Sequence, residues 1–173
     1  MNNVSTILNK GVGQLGFVVQ DLNATMQLYY NHFGIGDWKI YTYARPLLKF
    51  AYYHGEPIDY VSRIGLSYLG PTRIELIQNI SGKTIYSDFI ERHGYGLQHL
   101  GIYVEDMEEA LKNVRQADFE VEMEGGGQGL DGDGRFCYLN TESTCGICYE
   151  LIERPRCRPE PEAIYSATFL SCL

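Results

Sequence analysis

Three features that mark membrane, secreted or nucleic-acid-binding proteins are missing from this sequence. No apolar run approaches the roughly 18 residues that span a bilayer. The start of the chain, MNNVSTILNK, lacks the basic flank and apolar centre of a signal peptide. Positive charge is scarce, because 14 Lys and Arg stand against 22 Asp and Glu, and a net charge of −8 repels phosphate backbones. We therefore expect a cytoplasmic protein with no membrane and no nucleic-acid partner.

The cysteine content also does not favour a disulfide framework. The five cysteines are an odd number in a chain expected to be intracellular, so free thiols are favoured. Cys145 and Cys148 form a C-x-x-C, but the sequence offers no second pair for zinc and no helix N-terminus for redox chemistry. We interpret these two cysteines as strand or turn residues.

Glycine, by contrast, is abundant, and the stretch GVGQLGFVVQDL at 11–22 carries three glycines at the G-x-G-x-x-G spacing. A dinucleotide-binding loop needs a strand before the glycines and a helix that opens among them. Here the apolar run follows the glycines, and the helical signal begins only at Asp21. The order of elements therefore disfavours a dinucleotide site.

An internal repeat explains the stretch better. Residues 14–22, QLGFVVQDL, are echoed by residues 99–107, HLGIYVEDM, with Leu, Gly, Val and Asp in step. Each copy predicts a strand that stops at an Asp, and each Asp is a plausible N-cap for an amphipathic helix. Strand-like runs separated by Gly, Pro, Asn or Asp follow both helices.

The repeat predicts an α+β protein of two tandem βαβββ modules. The first module spans residues 11–80 and the second spans 97–153, with a linker containing a short helix at 81–96. Residues 1–10 form an N-terminal extension, and residues 154–173 form a C-terminal tail.

Four polar side chains stand at matching points of the two modules. Glu75 and Glu150 lie in the similar runs TRIELIQ and ICYELIE near the module ends, and Gln14 and His99 open the two modules. We call these four residues the polar quartet. Their neighbours along each strand are apolar, and a carboxylate in such a strand is costly unless it is paired or bound to a metal.

The polar quartet has two explanations. Any one of these residues alone is explained well enough by a local hydrogen bond at a sheet edge. As a symmetric set they favour a divalent metal, since two carboxylates neutralise a 2+ ion. The amide oxygen of Gln14 and one imidazole nitrogen of His99 would complete four ligands and leave positions open for substrate.

Over residues 12–153 the pattern resembles the vicinal oxygen chelate superfamily of glyoxalase, bleomycin resistance and dioxygenase proteins. The segments YSDFIERHGYGLQHLGIYVEDMEEAL and RFCYLNTESTCGICYELIE are similar above all to methylmalonyl-CoA epimerases. The resemblance implies an open, mixed β-barrel around one divalent metal ion (zinc, cobalt, nickel, manganese or iron). It places the ligands on Gln14, Glu75, His99 and Glu150.

Two positions depart from the epimerase pattern. Gln14 stands where epimerases usually have a His, and Gln98 stands where they usually have a second His. The Gln, Glu, His, Glu set is like that of one branch of glyoxalase I, although its glutathione-binding features are not recognisable here.

Epimerases and glyoxalases share one chemistry, in which a carboxylate removes a proton beside a metal-bound carbonyl and an enolate forms. The resemblance implies Glu150 as that base, if it releases the metal when substrate binds. Asp59, which aligns approximately with an epimerase's catalytic carboxylate, is the other candidate, although a solvated turn residue after Pro57 explains it equally simply. We therefore predict a metal-dependent epimerase, with a lactoylglutathione lyase of the glyoxalase I type as the alternative.

Two further functions rank lower. An extradiol-type dioxygenase needs two imidazoles and one carboxylate around iron, and only His99 is well placed. A binding protein without catalysis stays open, although such members of the superfamily typically lack the metal-ligand set. The resemblance also implies a small-molecule substrate and a homodimer.

Overall fold

A computed structural model describes residues 10–166 of the chain. Residues 1–9 of the predicted N-terminal extension lie outside the described residues, as do Cys172 and the rest of 167–173 in the predicted tail. The helices are α1 (Leu22–Phe33), α2 (Ile85–His93), α3 (Met107–Gln116) and α4 (Glu142–Cys145). The strands are β1 (Gln14–Val18), β2 (Trp38–Tyr43), β3 (Phe50–Tyr53), β4 (Glu56–Pro57), β5 (Val61–Leu69), β6 (Thr72–Ser81), β7 (Gly96–Val104), β8 (Val121–Gly126), β9 (Arg135–Leu139), β10 (Cys148–Glu153) and β11 (Ala163–Tyr165).

The eleven strands form one mixed sheet in the order β11-β2-β5-β6-β1-β7-β10-β9-β8-β3-β4. β1 runs parallel to β6 and antiparallel to β7, and β7 runs parallel to β10. The two ends of the sheet, β11 and β4, do not pair with each other, so the sheet stays open. This arrangement confirms the predicted α+β fold of the vicinal oxygen chelate type.

Two halves of the sheet repeat the same connectivity. β1, α1, β2, β5 and β6 of the first half correspond to β7, α3, β8, β9 and β10 of the second, and each half keeps the same neighbour order outward from the centre. β1 and β7 join the halves by antiparallel pairing. The strands that begin the two copies of the repeat are therefore adjacent at the centre of the molecule.

The first half contains an inserted hairpin, β3 and β4, that pairs with the second half of the sheet. β3 and β4 follow β2 in sequence, yet β3 pairs with β8 at the far edge of the sheet. The register places Phe50 opposite Gly126 and Tyr53 opposite Met123. The inserted hairpin thus extends the edge of the second half of the sheet rather than the edge of the first.

The two module helices begin in the same way. Asp21 accepts a hydrogen bond from the Ala24 N–H at 3.0 Å, and Asp106 accepts one from the Glu109 N–H at 3.0 Å. Both caps have extended backbone with φ near −135°. The predicted N-caps are therefore present at both positions, where each satisfies one of the free N–H groups at a helix start.

Alternation along the central strands divides the apolar residues into three buried clusters. On the convex face, Leu22 and Met26 of α1 pack against Ile74 and Leu76 of β6, and α3 packs in the same way on the second half. The third cluster fills the concave face and is rich in aromatics, including Tyr41, Tyr43, Tyr53, Tyr60, Tyr86, Phe89, Phe136 and Tyr138. Across residues 10–166, no helix has the length and apolar character needed to cross a bilayer.

The C-x-x-C cysteines have different surroundings. Cys145 ends α4 on the surface, whereas Cys148 is buried in β10, and both thiols are free. Burial raises the pKa of the Cys148 thiol well above its usual range, which leaves it protonated and unreactive.

Candidate metal centre

The two central strand pairs bring the polar quartet together. β1 and β6 carry Gln14 and Glu75, and β7 and β10 carry His99 and Glu150, all on the concave face. Each of the four residues is at most 5% exposed. The symmetric positions predicted from the repeat therefore converge at one buried point, because the strands that carry them are neighbours in the sheet.

Two glycines of the repeat make this convergence possible. Gly16 lies opposite both Glu75 and His99 in the sheet, and a Cβ at Gly16 would overlap the His99 ring. Gly101 lies opposite Gln14 and Glu150, and a Cβ there would come within 2.7 Å of the Gln14 Cβ. Each module thus supplies the space for side chains of the other, which explains why glycine recurs in QLG and HLG.

The donor atoms are spaced as metal ligands are. His99 Nε2 lies 3.3 Å from Glu75 Oε2 and 3.1 Å from Glu150 Oε2. Ligands bound at about 2.0–2.2 Å to one ion stand about 3.0–3.5 Å apart. Within residues 10–166 these three residues form the group of His, Cys and acidic side chains whose ligand atoms meet closely enough to hold a metal. The three residues therefore fit a divalent ion.

The ring of His99 is oriented by its chain neighbour. The pairing of β1 with β7 shifts register between Gly16 and Phe17, which leaves Gln98 as the extra residue of a bulge. Gln98 Oε1 lies 2.8 Å from His99 Nδ1. Because an amide oxygen only accepts, Nδ1 carries the hydrogen and Nε2 faces the two carboxylates. Gln98 is thus placed to fix the tautomer that a metal ligand needs.

His99 holds its proton tightly while no metal is bound. Burial lowers its pKa, but the carboxylates of Glu150 and Glu75 outweigh burial and raise the pKa to about 9. A metal ion must displace this proton, so metal binding competes with protonation of His99 near neutral pH.

The amide of Gln14 is held in one orientation. Its nitrogen donates to Glu75 Oε2 at 2.9 Å and to Glu150 Oε2 at 2.8 Å. The buried guanidinium of Arg73 donates through Nε to the Gln14 oxygen on the other side. For its oxygen to bind a metal, the Gln14 amide must turn over, which would set its NH2 group against Arg73. The role of Gln14 as a fourth ligand stays a prediction.

Aromatic side chains surround the centre. The Tyr138 ring lies edge-on to the His99 imidazole, and the Tyr138 hydroxyl is 2.7 Å from that of Tyr86. The hydroxyl of Tyr60 is buried with no hydrogen-bond partner among the described residues. Burial raises the pKa of Tyr60 well above its usual range, and the nearby charges of Glu75 and Glu150 raise it further. The metal centre is thus surrounded by aromatic rings that carry hydroxyl groups.

Asp59 is the one predicted site residue that stands apart from the quartet. Its carboxylate is 83% exposed and lies 2.9 Å from the Arg45 Nε. The other three histidines are also elsewhere: His32 and His54 are exposed, and His93 pairs with Glu142 at 2.7 Å. The role of Asp59 as a base too stays a prediction.

The sequence patterns predict no role in this centre for Arg73, Gln98, Gly16 or Gly101. Three of the four have a visible signal, because Arg73 shares a strand face with Glu75 and both glycines stand two residues after a quartet member. Gln98 has none. Its position beside His99 predicts the opposite face of the strand, and only the bulge brings it to the ring.

A family model described as the Glyoxalase/Bleomycin resistance protein/Dioxygenase superfamily matches residues 13–138. Because the match covers most of the chain and the fold agrees, this protein belongs to that superfamily. The resemblance stated from the sequence is therefore confirmed. A comparison with curated proteins finds no match.

Similar solved structures include two methylmalonyl-CoA epimerases. The Mycobacterium tuberculosis enzyme is 19% identical with a TM-score of 0.60, over 84% of this chain and 87% of that one. A variant of the Streptomyces coelicolor enzyme in complex with 2-nitronate-propionyl-CoA is 15% identical with a TM-score of 0.62, over 87% and 98%. A hypothetical protein of Bacillus halodurans C-125 is 18% identical with a TM-score of 0.58, over 87% and 98%. At these identities the likeness shows a shared fold.

Proposed function

We propose that this protein is a metal-dependent isomerase that moves a proton at the carbon beside a thioester carbonyl, as a methylmalonyl-CoA epimerase does. The observation that carries the proposal is the convergence of Glu75, His99 and Glu150 at one buried point with the spacing of metal ligands. The similar epimerase crystallised with a nitronate analogue of an acyl-CoA supports a CoA thioester as the substrate class.

Glu75, His99 and Glu150 would hold the divalent ion, and Gln14 would join them after its amide turns. An ion bound there supplies a Lewis acid that polarises the substrate carbonyl and favours loss of the adjacent proton. Gln98 keeps the proton of His99 on Nδ1, so that Nε2 stays available. Burial of the quartet excludes bulk water, which strengthens every charge interaction at the reacting carbon.

The proton itself needs a carboxylate close to the reacting carbon. We propose Glu150 for this role, on condition that it releases the metal when substrate binds, because its Oε2 lies at the centre of the quartet, 3.1 Å from His99 Nε2. Glu150 would take the proton and later return it to the same carbon, and inversion requires the enolate to present its other face to the returned proton. Asp59 is the second candidate and would have to leave Arg45 first.

A glyoxalase I-like lyase is the second candidate function. The observation that favours it is the donor set itself, since Gln14 occupies the position where epimerases usually have a His. Both reactions begin with removal of a proton to form an enolate, and they differ in substrate and in the carbon to which the proton returns. An extradiol-type dioxygenase is disfavoured, because among residues 10–166 the centre contains one imidazole. Homodimerisation stays a prediction.

The first test is the metal content of the purified protein, measured by plasma mass spectrometry beside a double variant, Glu150→Ala with His99→Ala. We expect near-stoichiometric divalent metal in the native chain and none in the double variant. Glu153→Gln is a matched control, because Glu153 lies on the same strand outside the quartet.

The second test is α-proton exchange, followed by NMR in heavy water with methylmalonyl-CoA and with the hemithioacetal of glutathione and methylglyoxal. Exchange of the first substrate supports the epimerase, and turnover of the second supports the lyase. A protein that takes up no metal even after reconstitution, or exchanges neither substrate, contradicts the proposed chemistry and leaves a binding protein on the same fold.

A further inference from the structure

The terminal amide of Gln14 lies at the fourth corner of a tetrahedron of donor atoms. Gln14 Nε2 is 2.9 Å from Glu75 Oε2 and 2.8 Å from Glu150 Oε2. It is also 3.2 Å from His99 Nε2, and the two carboxylate oxygens are 3.3 and 3.1 Å from that same nitrogen. Four-coordinate zinc takes its ligands in a tetrahedral arrangement. Gln14 is therefore in the place of a fourth ligand, but with its nitrogen foremost.

The hydrogen-bonding chemistry of the neighbours fixes which end of the amide faces them. The carboxylates of Glu75 and Glu150 accept, so the Gln14 atom beside them is the NH2 group, which donates. The guanidinium of Arg73 only donates, so the Gln14 atom that faces its Nε is the amide oxygen. Both requirements select the same orientation. An amide turned over would set oxygen against the carboxylates and NH2 against the guanidinium.

Arg73 depends on the Gln14 oxygen as an acceptor. Its side chain is buried, with 6% of the residue exposed, and its guanidinium carbon lies 5.3 Å from the centre of the Tyr103 ring. Among residues 10–166, no carboxylate lies within ion-pair distance of Arg73. The Nε–H donates to the Gln14 oxygen instead. A buried charged donor that loses its acceptor is costly, so Arg73 opposes the turn of the amide.

We propose that Arg73 is a positioning residue that sets metal affinity through the orientation of Gln14. While Arg73 holds the amide oxygen, the amide nitrogen donates to both carboxylates and keeps the centre hydrogen-bonded. When the amide turns, its oxygen joins Glu75, His99 and Glu150 as the fourth ligand, and Arg73 loses its acceptor. Arg73 thereby weakens metal binding and stabilises the centre without metal. The inference rests on the metal centre of the proposed function and is independent of the substrate.

The test is a double-mutant cycle on zinc affinity, measured by competition with a chromophoric chelator. Arg73→Met removes the donor, and we expect the dissociation constant for zinc to fall by about tenfold or more. Loss of a positive charge favours a cation by itself, so the same substitution is made in a Gln14→Ala chain, where only the charge effect remains. The gain with Gln14 present should exceed the gain without it by at least about fivefold. Equal gains overturn the inference.

Arg63→Met is the matched control for the loss of an arginine. Arg63 lies on β5 two residues before Gly65, where a Cβ would meet Leu22 and Met26 of α1 on the convex face. Arg63 is therefore on the face of the sheet away from the quartet. Its removal should change zinc affinity by less than about twofold. A gain as large as that of Arg73→Met would come from net charge alone and would overturn the role of Arg73.

A second measurement follows the amide itself and needs no Arg73 variant. In protein labelled with nitrogen-15 glutamine, the Gln14 NH2 signals are those that disappear in Gln14→Ala. Without metal, these protons should show nuclear Overhauser contacts to the His99 ring, because Gln14 Nε2 lies 3.2 Å from His99 Nε2. With zinc bound, we expect the His99 contacts to be lost and contacts to the Arg73 Nε–H to appear. His99 contacts that persist with zinc bound overturn the inference.

The outcomes separate this inference from the proposed function. Zinc binding and α-proton exchange, together with equal gains in both backgrounds, would overturn the role of Arg73 and leave the proposed function intact. A coupled cycle and a turning amide in a protein that exchanges neither substrate would support the role of Arg73 while the proposed function fails. A chain that binds no zinc, either native or as Arg73→Met, overturns both.

Discussion

In the first module the opening strand carries Gln14, and in the second it carries His99, although both side chains reach one buried point from equivalent strands. Their partners differ accordingly. Arg73 and two carboxylates fix the Gln14 amide, whereas Gln98 fixes the His99 imidazole. Duplication thus sets where the side chains meet, while the local contacts within each module set the chemical role of its side chain.

The middles of the modules differ as well. The first module inserts β3 and β4 between β2 and β5, and β3 pairs with β8 of the second module. The second module has a direct path from β8 to β9. The extra residues of the longer copy thus complete the sheet edge of the shorter one, so the two modules are folded as one unit.

Exchanging the opening residues should give the largest effect. His99→Gln leaves a Gln in both modules, and we expect metal binding to be lost and α-proton exchange to fall by about a thousandfold or more, because the imidazole ligand is gone. Gln14→His places a His in both modules and should raise metal affinity by about tenfold. Metal titration and exchange kinetics measure both. Equal losses in the two variants would show that the two positions have the same role.

Adding a methyl group to either central glycine should destabilise the fold unequally. Gly16→Ala should cost about 3 kcal/mol or more, because the new Cβ overlaps the His99 ring and that ring is fully buried. Gly101→Ala should cost about 1–2 kcal/mol, since the overlap is smaller: the closest atoms, Gln14 Cβ and Ile152 Cδ1, lie 2.7 and 2.8 Å from the new Cβ. Urea denaturation measures the free energies of unfolding.

The control for the glycines is Gly36→Ala, where the new Cβ meets only the half-buried Tyr30 ring at 3.2 Å. It should cost less than either central substitution. A Gly16→Ala protein as stable as this control would contradict the close approach of the modules.

The metal-free protein should lose stability as pH rises. The pKa of His99 is about 9 in the folded chain and about 6.5 when unfolded, so its contribution is complete below about pH 6.5 and lost through about pH 9. The expected loss is on the order of 3 kcal/mol between pH 6 and 10. Thermal unfolding of the chelator-treated protein checks it, with His99→Gln as the pH-insensitive control for this window. A native curve that matches the variant would contradict the coupling of His99 to the carboxylates.

Removing the helix caps should have the smallest and most equal effect. Asp21→Ala and Asp106→Ala each remove one side-chain bond to a helix-start N–H at the same distance, so each should cost about 1 kcal/mol. Denaturant midpoints of the two variants should agree to within about half of that value. A large inequality would show that one helix start has a further partner.

The duplication, the order of strands and helices within each module and the four quartet positions can be predicted from the sequence alone. Each of these features follows from the spacing of residues along the chain. A strand is apolar on alternate residues, a helix begins at a capping Asp, and a repeat is visible wherever two stretches match. The symmetry of the repeat was enough to predict that Gln14, Glu75, His99 and Glu150 share one place, and the structure brings them together.

How these side chains are held, and which groups face them, depends on the tertiary structure. The Gln98 bulge and the insertion that crosses to β8 depend on contacts between residues far apart in the chain. The Gln14 amide shows the same limit, since its orientation follows from Arg73 on a different strand. Local periodicity determines which face of a strand a residue occupies. The direction of a hydrogen bond and the path of a connecting segment depend on which strands become neighbours in the folded sheet.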